Sequence, residues 1–203
     1  MSAFDLEEER LKAEIQRRNA RLVLIQLPEG LKLHAPHLAS IVQEAGATAI
    51  ISADPCYGAC DLALQEAQNL GVDLLIHYGH SEPPSWEGPG FPVVFIEARS
   101  RVSVTEAVEA SLPLLEGYSV VGLITTVQHV HKLDEVRSLL LRAGRAVMIG
   151  DAGRMKYAGQ VTGCDYSNAK AIAGDVDAFL FVGGGRFHAV SYTHLTLPTT
   201  ERV

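Results

Sequence analysis

Short apolar runs alternate with longer amphipathic stretches along the first half of the chain. Each run is four to seven residues long, is rich in β-branched residues and lacks the polar alternation of a half-exposed strand. Such runs are typical of strands buried on both faces, and helices between them are typical of a parallel sheet built from βαβ units. The predicted strands are 21–27, 47–52, 74–77 and 93–96, and the predicted helices are 34–44 and 62–70.

The same rhythm begins again in the second half of the chain. The pattern predicts helices over 105–115 and 133–143, strands over 120–126 and 146–149, and a further strand before Gly183. We expect residues 1–20 to form a charged amphipathic helix ahead of the first strand. The predicted fold class is therefore α/β.

The two halves align with each other, which indicates an internal repeat. An offset of 98 places Val23 on Val121, and the same offset places Ile41 on Leu139 and Gly46 on Gly144. Six extra residues then enter the second copy, and an offset of 104 brings together the pairs Cys60–Cys164, Asp73–Asp177 and Gly79–Gly183. We therefore predict two tandem homologous βαβ domains with parallel sheets, one over 21–100 and one over 101–190.

Composition and charge narrow the class of protein. The chain has 203 residues, of which 47% are apolar and 20% are charged, as in ordinary globular proteins. The net charge of −7 argues against DNA as a partner, and no apolar run is long enough for a membrane span. The start has no signal-peptide pattern, and three cysteines do not make a disulfide framework, so we expect a cytoplasmic protein.

Two of the three cysteines occupy one repeat position. Cys60 and Cys164 each follow the second strand of their copy in a polar, glycine-containing loop, at the sheet edge where ligands gather in α/β folds. A lone cysteine is ordinarily a small buried apolar residue, but thiolates from two domains suit a soft-metal or iron–sulfur site. Cys56 fails the repeat test because Gln160 occupies its counterpart, so we expect it to have a structural or supporting role.

Two thiolates make an incomplete cluster, since cubane clusters usually take four, and three protein ligands would leave one iron open to a substrate. Two related domains with one ligand each therefore suggest a third domain that is absent from this chain.

Five sequence boxes carry a resemblance to a known family. They are LPEGL at 27–31, DPCYGACD at 54–61, HYGHS at 77–81, GQVTGCDYSNAK at 159–170 and FVGGGRFHA at 181–189. Together they resemble the diphthamide synthase family, in its archaeal form more than in its eukaryotic paralogues, over about residues 4–190.

The resemblance implies three homologous α/β domains, each giving one cysteine to a central 4Fe-4S cluster. Cys60 and Cys164 match the first two of these ligands, and the third has no counterpart in this chain. The implied reaction transfers the 3-amino-3-carboxypropyl group of S-adenosylmethionine to a histidine of translation elongation factor 2, by radical chemistry without the usual CxxxCxxC motif. A homodimer and an external electron donor are also implied, and no catalytic residue is assigned.

Several other residues are candidates for a site. Gly183, Gly184 and Gly185 could let backbone amides approach a carboxylate or ribose of S-adenosylmethionine, and Arg186 and His188 beside them could bind the cofactor or the target imidazole. We assign Gly183, Gly184, Gly185 and His188 to cofactor binding. His77 and His80 flank a strand end, where histidines are more often ordinary loop or core residues. Asp61 and Asp165 are expected to cap the helices that follow them.

Residues 191–203 break the strand–helix rhythm and depart from the family pattern, so we expect a non-native tail on a C-terminally truncated, inactive fragment. Two other functions stay open. One is a quinolinate synthase-like enzyme, which also has three domains around one cluster. The other is a non-catalytic α/β partner subunit.

Overall fold

The computed structural model describes residues 2–84, 87–88 and 90–184. The chain divides into two compact units, residues 1–101 and 102–203, which we call unit 1 and unit 2. Gly185 to Val203, and with them the predicted tail and the candidate residues Gly185, Arg186 and His188, lie outside the described residues. Among the described helices, none combines the length and apolar character that crossing a membrane requires.

Unit 1 contains a four-stranded parallel sheet and a small antiparallel ribbon. Its elements are β1 (Phe4–Asp5), α1 (Glu8–Arg18), β2 (Leu22–Gln26), a 3₁₀ turn (Glu29–His34), α2 (Ala35–Glu44), β3 (Thr48–Ile51), α3 (Leu64–Leu70), β4 (Leu74–Tyr78), β5 (Val93–Ile96) and β6 (Arg99–Ser100). The parallel strands follow the order β3-β2-β4-β5, and β1 pairs with β6.

Unit 2 repeats the central part of this arrangement. Its elements are α4 (Thr105–Ser111), a 3₁₀ turn (Leu112–Leu115), β7 (Val120–Thr125), a 3₁₀ turn (Val127–Lys132), α5 (Leu133–Arg142), β8 (Ala146–Met148), α6 (Ser167–Ile172) and β9 (Ala178–Val182). The strands follow the order β8-β7-β9, and both pairs are parallel. The predicted α/β class with parallel sheets is confirmed.

Strand register reproduces the repeat that the sequence predicted. Val23 on β2 pairs with Ala49 and Leu74, and Val121 on β7 pairs with Val147 and Ala178. The β2–β3 pair corresponds to the β7–β8 pair with an offset of 98 on both strands. The β2–β4 pair corresponds to the β7–β9 pair with an offset of 98 on the central strand and 104 on its partner, as the six inserted residues require.

One carboxylate in each unit fixes the start of the central strand. Asp73 Oδ2 accepts hydrogen bonds from the backbone N–H of Arg21 (2.8 Å) and Leu22 (2.9 Å). Asp177 Oδ2 accepts the equivalent bonds from Ser119 and Val120, both at 2.8 Å. These bonds hold the pKa of each carboxyl group below its usual range, so both are charged acceptors at neutral pH.

Each central strand is buried on two faces, as its unbroken apolar run predicts. Val23 and Ile25 point into a core with α1 and α2, while Leu24 points into a second core with α3. In unit 2, Leu123 packs with α5 and Ile124 packs with α6. Because a strand alternates its side chains, the last residue of β2 falls on the α3 face of the sheet.

The helix predicted over 105–115 is shorter than expected. It is α-helical only to Ser111 and continues as a 3₁₀ turn over Leu112–Leu115. Pro113 is the reason, since its ring clashes with the carbonyl four residues earlier in an α-helix and it has no N–H to donate.

Candidate functional site

The carboxyl edge of the unit 1 sheet contains a topological switch point. The chain adds β3 on one side of β2 and then crosses to add β4 on the other side. Loops diverge at such a point and leave a crevice, which is where open α/β sheets bind ligands. The last residue pair of the β2–β4 ladder at this edge is Gln26 and His77, both buried.

Gln26 fixes the loop that carries Cys60. Its Nε2 donates to the carbonyl oxygen of Asp61 (2.7 Å), and its Oε1 accepts from the backbone N–H of Ala63 (3.1 Å). The same Oε1 lies 2.9 Å from His77 Nδ1. Because the carboxamide oxygen can only accept, His77 carries its proton on Nδ1 and presents a lone pair on Nε2.

Cys60 itself is exposed at the tip of this loop. Asp61 Oδ2 accepts from the backbone N–H of Tyr57 (3.0 Å), and the Asp61 N–H donates to the Gly58 carbonyl (3.0 Å). The carboxylate therefore closes the Cys60 loop, and the expectation that it caps α3 is wrong. Helix α3 begins three residues later, with Ala63 at its N-cap and no side-chain cap.

A second thiol in this region is buried and lies close to two histidines. Cys56 is 4% exposed and its Sγ lies 4.0 Å from His77 Nε2. His80 Nδ1 lies 2.9 Å from the same Nε2 atom. One ligand atom from each of these three side chains lies within 4.8 Å of the other two. We call Cys56, His77 and His80 the buried triad.

Burial sets the protonation of the buried triad when no metal is bound. It lowers the pKa of His77 to about 3, with a further contribution from His80, so the ring is neutral at physiological pH. It also raises the pKa of Cys56 to about 11, although the Gly58 backbone partly offsets this effect. Cys56 is therefore a protonated thiol.

Gly79 makes the turn that brings His80 back over His77. Its φ is +82°, in the left-handed region, and a Cβ there would lie 2.8 Å from the Pro28 ring. Only glycine meets both conditions without strain. The glycine in HYGHS thus explains how two histidines three residues apart meet at a strand end.

In unit 2, Cys164 is exposed in the matching loop, between β8 and α6. Thr162 Oγ1 lies 3.4 Å from Cys164 Sγ and also accepts the Asp165 N–H (3.0 Å). Asp165 Oδ1 accepts from Ser167 N–H (2.9 Å) at the first residue of α6, but Tyr166 is the N-cap residue and has no side-chain cap, so Asp165 is not the N-cap that was expected. Burial alone would raise the pKa of Asp165, but Ser167 and the Arg154 guanidinium outweigh it and hold the pKa below its usual range.

The six inserted residues bring the Cys164 loop back onto the central strand. Thr125 donates its N–H to the Gly159 carbonyl (2.9 Å) and accepts from Val161 N–H (2.8 Å), which forms a parallel bridge with Gln160. Val161 then packs against Ile124 in the α6-side core. Backbone hydrogen bonds to the central strand thus hold this loop, with the buried Asn168 side chain donating to the Gln160 carbonyl, where unit 1 uses the Gln26 side chain.

Gly183 and Gly184 follow β9 and are both exposed. A Cβ at Gly183 would lie 2.5 Å from the Phe181 ring, so the glycine permits close packing of that ring. Gly184 has open space around it, since nothing lies within 4 Å of a Cβ placed there. Their assignment to cofactor binding stays a prediction.

Sequence reasoning found the exposed cysteines and missed the residues beneath them. Cys60 and Cys164 lie where the repeat predicted, one in each unit, while their role as metal ligands stays a prediction. Gln26 was not singled out, although a polar residue that ends an apolar strand run is a usable signal. His77 and His80 were weighed only as ordinary residues, and Cys56 was given a supporting role.

Comparison with known proteins identifies relatives over most of the chain. Residues 27–201 match a family model described as "Putative diphthamide synthesis protein". The 2-(3-amino-3-carboxypropyl)histidine synthase of Pyrococcus horikoshii is 37% identical over 195 residues, which cover 94% of this chain and 54% of that protein. The human synthase subunit 1 is 29% identical over 180 residues, 87% of this chain and 40% of the subunit.

A solved structure matches the fold as well as the sequence. The crystal structure of Dph2 from Pyrococcus horikoshii with a 4Fe-4S cluster superposes with a TM-score of 0.79 and 36% identity, covering 91% of this chain and 54% of that one. The chain thus spans about half the length of this relative.

Proposed function

Because the chain belongs to the diphthamide synthesis protein family, we propose that it forms two α/β domains of a 4Fe-4S enzyme that carries out the first step of diphthamide synthesis. One observation carries the proposal. An exposed cysteine occupies the same loop in both repeats, and a relative with this fold has been solved with a 4Fe-4S cluster.

The donor chemistry at both loops fits an iron–sulfur cluster. Iron–sulfur clusters are held by thiolates, and a cluster with ligands from several parts of a protein needs a thiol at the surface of each part. Cys60 and Cys164 meet this condition, whereas Cys56 is enclosed in the buried triad. In the proposal Cys60 and Cys164 each supply one ligand, and the family resemblance implies a third thiolate from outside residues 1–203.

The surrounding residues keep each thiol in place. Gln26 and Asp61 hold the Cys60 loop by three hydrogen bonds, and Thr162 and Asp165 hold the turn that carries Cys164. Gly183 and Gly184 are exposed, and in the proposal their backbone N–H groups bind the carboxylate of S-adenosylmethionine. The cluster, when bound, supplies the electron that cleaves the sulfonium.

The transferred group and the histidine acceptor follow the name of the Pyrococcus relative, while S-adenosylmethionine and elongation factor 2 follow the family resemblance. We propose transfer of the 3-amino-3-carboxypropyl group from S-adenosylmethionine to one histidine of translation elongation factor 2. A homodimer, an external electron donor and a cytoplasmic location belong to the same proposal. The quinolinate synthase-like alternative gains no support, because the family match is to diphthamide synthesis.

A chimera tests the proposal. Residues 2–184 would replace the matched segment of Pyrococcus Dph2, and the product would be reconstituted anaerobically with iron and sulfide. We expect cluster absorbance and transfer of label from S-adenosylmethionine to elongation factor 2. Cys60→Ser or Cys164→Ser should abolish both.

Cys56→Ser is the matched control, because it removes a thiol four residues from Cys60 and should leave most of the cluster absorbance. Loss of absorbance in Cys56→Ser with retention in Cys60→Ser would reverse the ligand assignment. A chimera that binds a cluster and transfers nothing to elongation factor 2 would refute the substrate assignment.

A further inference from the structure

The buried triad has the composition of a metal site and takes no part in the proposed cluster. One thiol and two imidazoles converge at the carboxyl edge of β4, all within unit 1. Cys56 is 4% exposed and His77 is fully buried. A buried soft ligand beside two nitrogen ligands is the donor set that zinc prefers.

We propose that Cys56, His77 and His80 bind a single Zn²⁺ ion, at a site separate from the cluster that Cys60 and Cys164 hold. Cys56 Sγ, His77 Nε2 and His80 Nδ1 are the ligand atoms. Three protein ligands leave a fourth tetrahedral position for water or for a group of a substrate.

Distances among the ligand atoms are close to those of a tetrahedral zinc site. With Zn–N near 2.0 Å and Zn–S near 2.3 Å, two nitrogens should lie about 3.3 Å apart, and nitrogen and sulfur about 3.5 Å apart. The structure has 2.9 Å between His77 Nε2 and His80 Nδ1, and 4.0 Å between His77 Nε2 and Cys56 Sγ. These two distances differ from the ideal ones by about 0.4–0.5 Å, and the third, between Cys56 Sγ and His80 Nδ1, is within 4.8 Å and would shorten to about 3.5 Å on binding.

The tautomer of His77 already suits metal binding. A ligating histidine ordinarily donates its other ring N–H to an oxygen acceptor, which fixes the ring and directs the lone pair at the metal. His77 donates Nδ1–H to Gln26 Oε1 (2.9 Å) and points Nε2 at the other two ligands. Gln26 is itself held by Asp61 and Ala63, so the acceptor cannot turn away.

Proton balance is simple for this site. His80 Nδ1 donates to His77 Nε2 in the metal-free protein and must pass its proton to Nε2 of its own ring to ligate. The Cys56 thiol loses its proton to solvent when the thiolate binds zinc, so one proton is released for each ion bound. The positive ion then compensates the buried thiolate, which is unfavourable without it.

Zinc at this position would fasten the Cys60 loop to the sheet. Cys56 lies four residues before Cys60, and His77 is the fixed end of the β2–β4 ladder. A Zn–S bond would therefore add a covalent tie to the loop that Gln26 holds only by hydrogen bonds. The inferred role of the ion is to order the cluster ligand, and the open fourth position adds the capacity to bind a substrate group.

Cobalt spectroscopy on the full 203-residue chain tests the site. The Cys60→Ser/Cys164→Ser double variant keeps Cys56 as its only thiol. Titration with Co²⁺ under anaerobic conditions should give one equivalent with a thiolate-to-cobalt charge-transfer band and the visible spectrum of tetrahedral cobalt. Zn²⁺ should displace it.

Two further variants identify the ligands. His80→Asn in the same background should weaken cobalt binding by at least about tenfold. His37→Asn removes an exposed histidine of α2 and should leave it unchanged, which makes it the matched control. Cys56→Ser alone, with Cys60 and Cys164 intact, should lose the one-equivalent site, and circular dichroism would show that each variant is folded.

Absence of the charge-transfer band in the folded double variant would overturn the proposal and leave the buried triad as a hydrogen-bonded structural cluster. Equal cobalt affinity in His80→Asn and His37→Asn would also overturn it. Neither result bears on the iron–sulfur proposal, because the double variant lacks both cluster ligands.

Discussion

The two units share a backbone and an exposed cysteine but differ in what lies beneath that cysteine. In unit 1 the last pair of the central ladder is Gln26 and His77, and in unit 2 the equivalent pair is Ile124 and Phe181. The repeat also replaces Cys56 by Gln160 and His80 by Gly184. Every member of the buried triad is therefore specific to unit 1, whereas the exposed thiol is common to both.

This difference separates two ways of holding a cysteine loop. Unit 2 joins its loop to β7 by main-chain bonds at Thr125 and packs Val161 against Ile124. Unit 1 lacks the inserted residues that make this return possible and uses the carboxamide of Gln26 instead. A buried polar cluster in unit 1 thus compensates for a shorter loop, and it also supplies the lone pairs from which a metal site can be built.

The largest expected effect concerns thiol reactivity. Exposed Cys60 and Cys164 should react quickly with iodoacetamide, while Cys56 should react slowly because it is buried and its pKa is about 11. An ordinary thiol has a pKa near 8.5, so at mildly alkaline pH the thiolate fraction of Cys56 is roughly 100-fold lower, and burial slows it further.

Mass spectrometry of labelled peptides, in the presence of a chelator, measures the three rates separately. In denaturant the three rates should become equal, which controls for local sequence. A folded protein in which Cys56 reacts as fast as Cys164 would contradict the contrast between the buried and exposed thiols.

Strand register is the part of the fold that the sequence predicted best. The offsets of 98 and 104 rest on residues such as Val23 and Asp73, and each recurs in the pairing of the central strands. Long apolar runs and a repeat constrain register strongly, because a one-residue slip would turn every side chain to the wrong face. The ribbon of Phe4–Asp5 with Arg99–Ser100 was not predicted, since two-residue strands have no measurable period.

Only the residues of the site that recur in both copies of the repeat were predicted from the sequence. Cys60 and Cys164 repeat, so their shared loop position could be read from the sequence. The buried triad does not repeat, and its contacts join residues 21 apart through a turn that depends on the φ of Gly79. Such a contact depends on tertiary structure and cannot be read from a periodic pattern. One sequence signal does point to the buried triad, since two buried strands each end in a polar residue, Gln26 and His77.

The next largest effect concerns the contacts that hold the Cys60 loop. It is tested by giving unit 1 the residue that unit 2 has at the same repeat position. Gln26→Ile gives unit 1 the unit 2 residue but leaves the Ala63 N–H, the Asp61 carbonyl and the His77 Nδ1–H without their partner. The His77 Nδ1–H is buried and the other two groups are part-buried. An unpaired buried group costs about 1–3 kcal/mol, so we expect the free energy of unfolding of unit 1 to fall by about 2 kcal/mol or more.

Hydrogen exchange read separately for each unit measures this change, because protection reports local opening. Ile124→Val in unit 2 is the control and should cost only about 1 kcal/mol. Equal losses from Gln26→Ile and Ile124→Val would mean that Gln26 acts through packing alone, and the contrast between the two loops would fail.

The smallest expected effect concerns a feature that the two units share, so it should be the same in both. Asp73 and Asp177 each accept two backbone N–H groups at the start of the central strand, and both carboxyl groups have a folded-state pKa below the ordinary 3.8. A carboxyl group whose pKa is depressed by folding adds stability above its unfolded pKa and loses it as the pH falls through its folded pKa.

Asp73→Asn and Asp177→Asn keep one acceptor oxygen and remove the charge. We therefore expect each variant to lower the denaturation midpoint of its own unit modestly at neutral pH. The difference from the unsubstituted protein should begin to decline near pH 4 and vanish once the pH has fallen through the folded-state pKa. Urea denaturation followed by unit-resolved hydrogen exchange over this pH range measures both differences. A response in only one unit, or a difference that grows with acid, would show that the two carboxylates are not equivalent parts of the repeat.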